Sequence, residues 1–142
     1  MTTGQPQPLP DAHRRGALRL VAAISCVYDL ALGIAFLVAA DRLAALFNVP
    51  PASPPVLADT NGLFLAAVGV GYLWPMRRPV EYRWYLWVMG PLLKGGGALV
   101  FLRDVFLRGS PAAFLLFAAS DGLLAAATLW ALTKRRGPAV SR

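Results

Sequence analysis

The chain has 142 residues, of which 57% are hydrophobic and only 15% are charged, whereas an average soluble domain has about 25% charged residues. Its formal net charge of +7 would suit nucleic-acid binding. However, the basic residues stand at the ends of apolar runs and form no basic face, so a nucleic-acid partner is not expected. The single cysteine, Cys26, and the single histidine, His13, argue against an internal disulfide, a metal site and haem, and no cofactor is expected.

The first apolar run covers residues 20–40 and follows a basic N-terminal tail, residues 1–19, that we predict to be disordered. With 21 residues, the run is long enough to cross a hydrocarbon core of about 30 Å as a helix. A secretory signal peptide is the alternative, with Val38-Ala39-Ala40 as its cleavage site. The run is longer than a usual signal-peptide core and contains Asp29, which favours a permanent transmembrane helix.

A connector separates the first run from the second. Its beginning, residues 41–49, is amphipathic, because Leu43, Leu46 and Phe47 share one helical face. We expect this segment to lie along the membrane surface. The prolines that follow end the helix and stiffen the loop.

Three further apolar runs follow the connector. They cover residues 57–74, 84–102 and 112–132, and a basic C-terminal tail occupies residues 134–142. Pro75 is expected to end the second run, and Ser110 is expected to cap the start of the fourth. The sequence therefore predicts an all-α fold, an integral membrane bundle of four transmembrane helices that forms one domain over residues 20–133.

The distribution of basic residues predicts the orientation of this bundle. With the N-terminus inside, the cytoplasmic segments carry ten Lys and Arg residues and the outer segments carry three, which are Arg42, Arg103 and Arg108. The positive-inside rule then places both termini in the cytoplasm. The tyrosines and tryptophans agree, because most of them lie near the inner interface. Short loops and a clear charge bias suit a multi-pass protein of a bacterial inner membrane.

Three ionisable residues lie deep within three different runs. Asp29 is the tenth of 21 residues in its predicted span, Lys94 the eleventh of 19, and Asp121 the tenth of 21. All three are therefore predicted to lie near the centre of the bilayer. A charge at that depth costs about 2.5–3.5 kcal/mol on insertion scales. We therefore expect an Asp-Lys-Asp cluster, in which the second carboxylate shares the lysine or takes up a proton.

The residues around Lys94 predict local weakness of the third helix. Gly90-Pro91 removes one backbone hydrogen bond a turn earlier, and Gly95-Gly96-Gly97 weakens the next turn and lets another helix approach closely. Hinge or packing roles are both open for these residues. Asn61, near the start of the second run, is expected either to cap that helix or to stand above the cluster as part of a ligand or proton site.

Three hypotheses for function follow from this pattern. The first is a binding or transport protein, in which Asp29, Lys94, Asp121 and Asn61 bind or move a small hydrophobic or ionic ligand or a proton. Transport would need a homo-oligomer, with contacts through exposed small-residue faces at Gly62, Gly69, Gly95 and Gly96.

The second hypothesis is an intramembrane enzyme without a cofactor. Asp29 or Asp121, when protonated, would act as the catalytic general acid in isomerising or cyclising a lipid or isoprenoid, while the other carboxylate stabilises a developing cation. The third is an accessory subunit of a larger membrane complex. Buried charges in membrane bundles can also serve only to fix which helices meet. Membrane lipids are partners under every one of these hypotheses.

Overall fold

The computed structural model describes residues 12–134, so most of the predicted N-terminal tail and residues 135–142 of the C-terminal tail lie outside the described range. This range is all-helical, without strands, and four of its helices are long and apolar enough to cross a membrane. They are α1 (Ala12–Leu46), α2 (Val56–Arg77), α3 (Arg83–Arg108) and α4 (Phe114–Thr133). Two shorter helices, Val56–Gly71 and Leu73–Arg77, make up α2.

Helix α1 is longer than its predicted span at both ends. It begins at Ala12, so residues 12–19 are helical and not disordered as predicted, and it continues through the beginning of the predicted connector. Its backbone leaves helical geometry at Ala39, where φ is −147° and ψ is 31°, and the helix then resumes to Leu46. Leu43 in this last part and Phe47 directly after it are half-buried, whereas Leu46 is 75% exposed. The kink therefore sets the amphipathic segment at a new angle, with part of its apolar face turned into the bundle.

Helix α2 also extends beyond the proline that was expected to end it. The helix is interrupted at Tyr72, and Pro75 lies in the first turn of Leu73–Arg77. An N–H in the first turn of a helix has no acceptor within that helix, so proline is tolerated there. Pro75 is buried, which shows that the turn packs against the bundle.

Helix α3 contains a π-helical segment, Val88–Lys94, between the α-helical segments Arg83–Trp87 and Gly95–Arg108. Pro91 lies inside it. The weakness predicted at Gly90-Pro91 is therefore accommodated by wider helical turns rather than by a break, and such π-helical turns occur often at functional sites.

The connection between α3 and α4 differs from the sequence prediction. Gly109 ends α3 in the left-handed conformation, with φ of 72°. Ser110 is not the N-cap of α4, since the helix begins only at Phe114 and the Ser110 hydroxyl instead donates a hydrogen bond to Asp104 Oδ2. The side chain is thus used to close the loop onto the end of α3.

Close packing of α1 on α2 depends on glycines. A Cβ placed on Gly33 would lie 2.6 Å from the Ala66 backbone nitrogen, and one on Gly62 would lie 2.9 Å from the Gly33 carbonyl oxygen. Gly69 meets Leu30 in the same way, at 2.7 Å from its Cγ. Gly62 and Gly69 therefore face α1 within the chain, which corrects the prediction that they form an exposed face for oligomer contacts.

The two ends of the described chain meet at one end of the bundle. The Arg14 and Arg83 guanidinium groups both donate hydrogen bonds to the Leu132 carbonyl oxygen, at 2.8 and 2.6 Å. These contacts bring together the beginnings of α1 and α3 with the end of α4. Cations at a helix C-terminus also interact favourably with the helix dipole.

Candidate functional site

The deepest polar contact in the bundle joins α1 to α3. Lys94 Nζ lies 2.5 Å from Asp29 Oδ1, and the lysine and aspartate side chains are only 5% and 1% exposed. The same ammonium group lies 4.7 Å from the centre of the Tyr28 ring, within the range of a cation–π interaction. Lys94 is therefore held by a carboxylate and an aromatic face of the same helix.

Asp121 on α4 is the third member of this group. Its Oδ1 lies 3.6 Å from Lys94 Nζ, and its side chain is 18% exposed. Among the described residues, neither this atom nor Asp29 Oδ2 has a hydrogen-bond partner, although both are buried. We call Asp29, Lys94 and Asp121 the charged cluster; the structure brings them together, with Asp121 held less tightly than Asp29.

Two hydroxyl groups beside the charged cluster connect α1 to α4. The Ser120 hydroxyl donates to the Phe117 carbonyl oxygen at 3.1 Å and lies 2.7 Å from the Tyr28 hydroxyl. Either hydroxyl can be the donor in the contact between Tyr28 and Ser120. Tyr28 was missed in the sequence-based prediction, although a tyrosine next to Asp29 in the middle of an apolar run was a usable signal.

The glycines of α3 bring its backbone close to α4 around the charged cluster. A Cβ on Gly90 would lie 2.5 Å from Thr128 Cγ2, so the π-helical segment can approach α4 only with glycine there. Gly95 faces Ala125, and a Cβ on Gly97 would lie 3.4 Å from Asp121 Oδ2. Gly96 differs from its neighbours, because a Cβ there would meet no described atom within 4 Å.

A cavity of about 470 Å³ extends from the charged cluster to the residues that follow the kink in α1. Its lining is mainly apolar and includes six phenylalanines, together with Tyr28, all three residues of the charged cluster, and Asn61. The phenylalanines are Phe36, Phe47, Phe64, Phe101, Phe114 and Phe117. Pockets that bind small ligands typically have volumes of about 300–1,000 Å³, apolar walls and a few placed polar groups.

Asn61 lines this cavity, although Asn61 as a whole is exposed to solvent. Pro50 and Ala52 in the connector also line the cavity, so it reaches the surface of the bundle at the end opposite Leu132. Pro91, Gly95 and Gly96 do not line it, whereas Gly97 does. The ligand-site residues predicted from sequence thus share one cavity, and most of the predicted hinge residues lie outside it.

Two further buried hydroxyls lie away from the cavity. Ser25 and Tyr72 are fully buried, and within the part of the chain described neither hydroxyl has a hydrogen-bond partner. Ser25 precedes Asp29 by one helical turn. Cys26 is also buried and lies on the same face of α1 as Asp29, three residues before it.

The charged cluster holds two carboxyl groups and one ammonium group. If all are ionised, its net charge is negative, and Asp121 is the member of the cluster that is least enclosed. Such an arrangement can accept a proton. It can also accept a hydrogen bond from a donor group of a molecule in the cavity. Across residues 12–134 there is no group of three His, Cys, Asp or Glu side chains placed to hold a metal ion.

No family model matches the chain, and no curated protein or solved structure matches it. The chemistry available to the charged cluster and its cavity therefore has to be inferred from their own geometry.

Proposed function

We propose that this chain is an integral membrane protein that binds a small ligand in the cavity, with the charged cluster at the polar end of the site. A single observation carries the proposal: a largely apolar cavity ends at a buried group of charges in which one carboxylate is incompletely paired. A cluster that served only to join helices would gain nothing from lining a cavity. Binding would be the first step whether the ligand is then held or moved.

Membrane insertion is supported by the outer surface of the bundle. Each of the four helices exposes large apolar side chains, among them Val27 on α1, Leu63 on α2, Leu99 on α3 and Leu123 on α4, all at least 64% exposed. Soluble monomers rarely expose continuous apolar surface on this scale. Lipid acyl chains would cover these faces without further cost.

The proposed orientation has both termini in the cytoplasm of a bacterial cell. In that orientation the meeting point of Arg14, Arg83 and Leu132 lies at the inner side, and the open end of the cavity lies at the outer side. The excess of basic residues in the segments at the inner end supports this choice.

Cysteine labelling of spheroplasts tests the orientation. In a Cys26→Ala background, Ser53→Cys would report the connector after α1 and Val80→Cys would report the loop after α2. We expect a membrane-impermeant maleimide to label Ser53→Cys directly and Val80→Cys only after the membrane is permeabilised. The reverse pattern would contradict the orientation, and labelling of both without permeabilisation would contradict a sealed four-span topology.

Native mass spectrometry of the protein extracted gently from its own membrane tests ligand binding. We expect a bound small molecule on the wild type and its loss in Leu65→Trp, because Leu65 lines the cavity and the larger indole would fill it. Leu63→Trp is the matched control, since Leu63 is 64% exposed on the same helix. Equal ligand occupancy in Leu65→Trp and Leu63→Trp would refute the cavity as the site. A protein bound only to other chains would favour an accessory subunit instead.

A further inference from the structure

We propose that the ligand is an amphiphile with a cationic ammonium head group, which Asp121 binds, and an apolar tail that lies among the phenylalanines of the cavity. This inference rests on the proposed function, because it names the chemical class that the same cavity would take. It adds one requirement to the proposed function: the site must bind positively charged head groups more tightly than neutral or negative ones.

The charge of the site favours a cation. Lys94 balances only one of the two carboxylates, and its short contact is with Asp29 rather than with Asp121. Asp121 Oδ1 is a buried acceptor that has no donor among the described residues. An ammonium group supplies both the missing positive charge and the missing N–H donor, and such charge-assisted hydrogen bonds are stronger than neutral ones.

An anionic head group is disfavoured by the same geometry. The only cation that lines the cavity is Lys94, and no other basic residue of the described chain takes part in the lining. Its ammonium group is already bound to Asp29 and lies over the Tyr28 ring. An anion would therefore have to displace Asp29 from Lys94 and approach two buried carboxylates, which costs free energy in a site of low polarity.

The walls of the cavity suit the remainder of such a molecule. Phe117 is at the centre of an aromatic group, with ring centroids 4.9 Å from Phe47 and 5.5 Å from Phe101. Aromatic faces attract organic cations as well as apolar groups. Phe117 also lies one turn before Asp121 on α4, so the aromatic surface begins directly beside the carboxylate.

Three probes with the same apolar part test the preference for charge. Isothermal titration calorimetry would compare phenyloctylamine, phenyloctanol and phenyloctanoate binding to the full-length protein in a non-ionic detergent. We expect the amine to bind at one site per chain, at least about tenfold more tightly than the alcohol, with the carboxylate weakest. This factor is the size expected when a charge-assisted hydrogen bond is lost.

Substitution of Asp121 tests whether this residue causes the preference for a positively charged head group. We expect Asp121→Asn to weaken amine binding by about tenfold or more and alcohol binding by clearly less, because the amide keeps the shape of the side chain and an acceptor oxygen but loses the negative charge. Retained alcohol binding also shows that this variant is folded. Asp104→Asn is the matched control, since Asp104 is outside the cavity and pairs with Arg108 at the end of α3, and it should bind the amine like the wild type.

The outcomes separate this inference from the proposed function. Equal or tighter binding of the carboxylate or alcohol, with all binding lost in Leu65→Trp, would overturn the cationic ligand but keep the cavity as a binding site. Undiminished amine binding by Asp121→Asn would overturn the role of Asp121. Absence of saturable binding by any of the three probes would overturn the inference, and the natural ligand found by mass spectrometry would then decide the proposed function separately.

Discussion

Lys94 is the residue on which the charged cluster depends most strongly. It is buried, it bonds to Asp29 and it is the nearest cation to Asp121. Its position in the middle of an apolar run made a buried partner predictable from sequence, and so did the similar depth of the two aspartates. The closer pairing with Asp29 was not predictable, because it depends on how far each helix is rotated about its axis.

At this scale we predict that Lys94→Met destabilises the protein by about 3–5 kcal/mol, because it leaves buried carboxylates without a counter-charge. The double variant Lys94→Met, Asp29→Asn should recover part of that loss, since it removes one of the two buried carboxylates that Lys94→Met leaves without a counter-charge. Thermal unfolding in detergent, followed by circular dichroism, measures both. A double variant no more stable than Lys94→Met would contradict this account of the pair.

The helices pack closely where small residues let their backbones approach each other. Their course is also set by local departures from α-helical geometry. The sequence marked Gly90, Pro91 and the glycine triplet as unusual, but it did not distinguish a π-helical segment from a break. The kink at Ala39 had no local signal at all, because alanine is the best helix former. After the kink Ala44 is buried and the Phe47 ring lies 4.9 Å from that of Phe117 on α4, contacts that no local sequence pattern predicts.

Helix packing gives the second prediction. Gly33→Ala should destabilise the protein by about 1–3 kcal/mol, because its Cβ would meet the α2 backbone at Ala66 and Gly62. Gly96→Ala should instead stabilise it by about 0.5–1 kcal/mol, since a Cβ there meets no described atom within 4 Å and alanine favours the helix. The two thermal unfolding midpoints should shift in opposite directions. An unchanged or raised midpoint for Gly33→Ala would contradict the packing of α1 on α2, and a lowered midpoint for Gly96→Ala would contradict the open space beside Gly96.

The end of α4 gives the third prediction. Arg83→Ala should lower stability by about 1 kcal/mol, because it removes a cation and a hydrogen bond from the Leu132 carbonyl. Arg78→Ala is the control. Arg78 pairs with Glu81 at the surface, where both side chains are more than half exposed, and exposed pairs contribute little. Equal effects of the two substitutions on the unfolding midpoint would show that the Leu132 contact contributes nothing specific.

At the scale of the whole molecule, the described chain is all-helical with four helices long and apolar enough to span a membrane, as the apolar runs predicted. The cavity was beyond sequence reasoning, because its walls come from all four helices and from the connector. The phenylalanines that line it are spread over the chain and are indistinguishable by pattern from those that would face lipid. Their position around one cavity that ends at the charged cluster appears only in the folded structure.

We infer that the charged cluster serves a ligand and does more than join helices. The direct measurement is native mass spectrometry of the charge-free variant Asp29→Asn, Lys94→Met, Asp121→Asn beside the wild type, both extracted from their own membrane. We expect the variant to remain a folded bundle, because it contains no unpaired buried charge, and to have lost the bound small molecule if the cluster is a binding site. A folded variant that keeps the same molecule at wild-type occupancy would contradict the claim and leave the three charges as structural contacts.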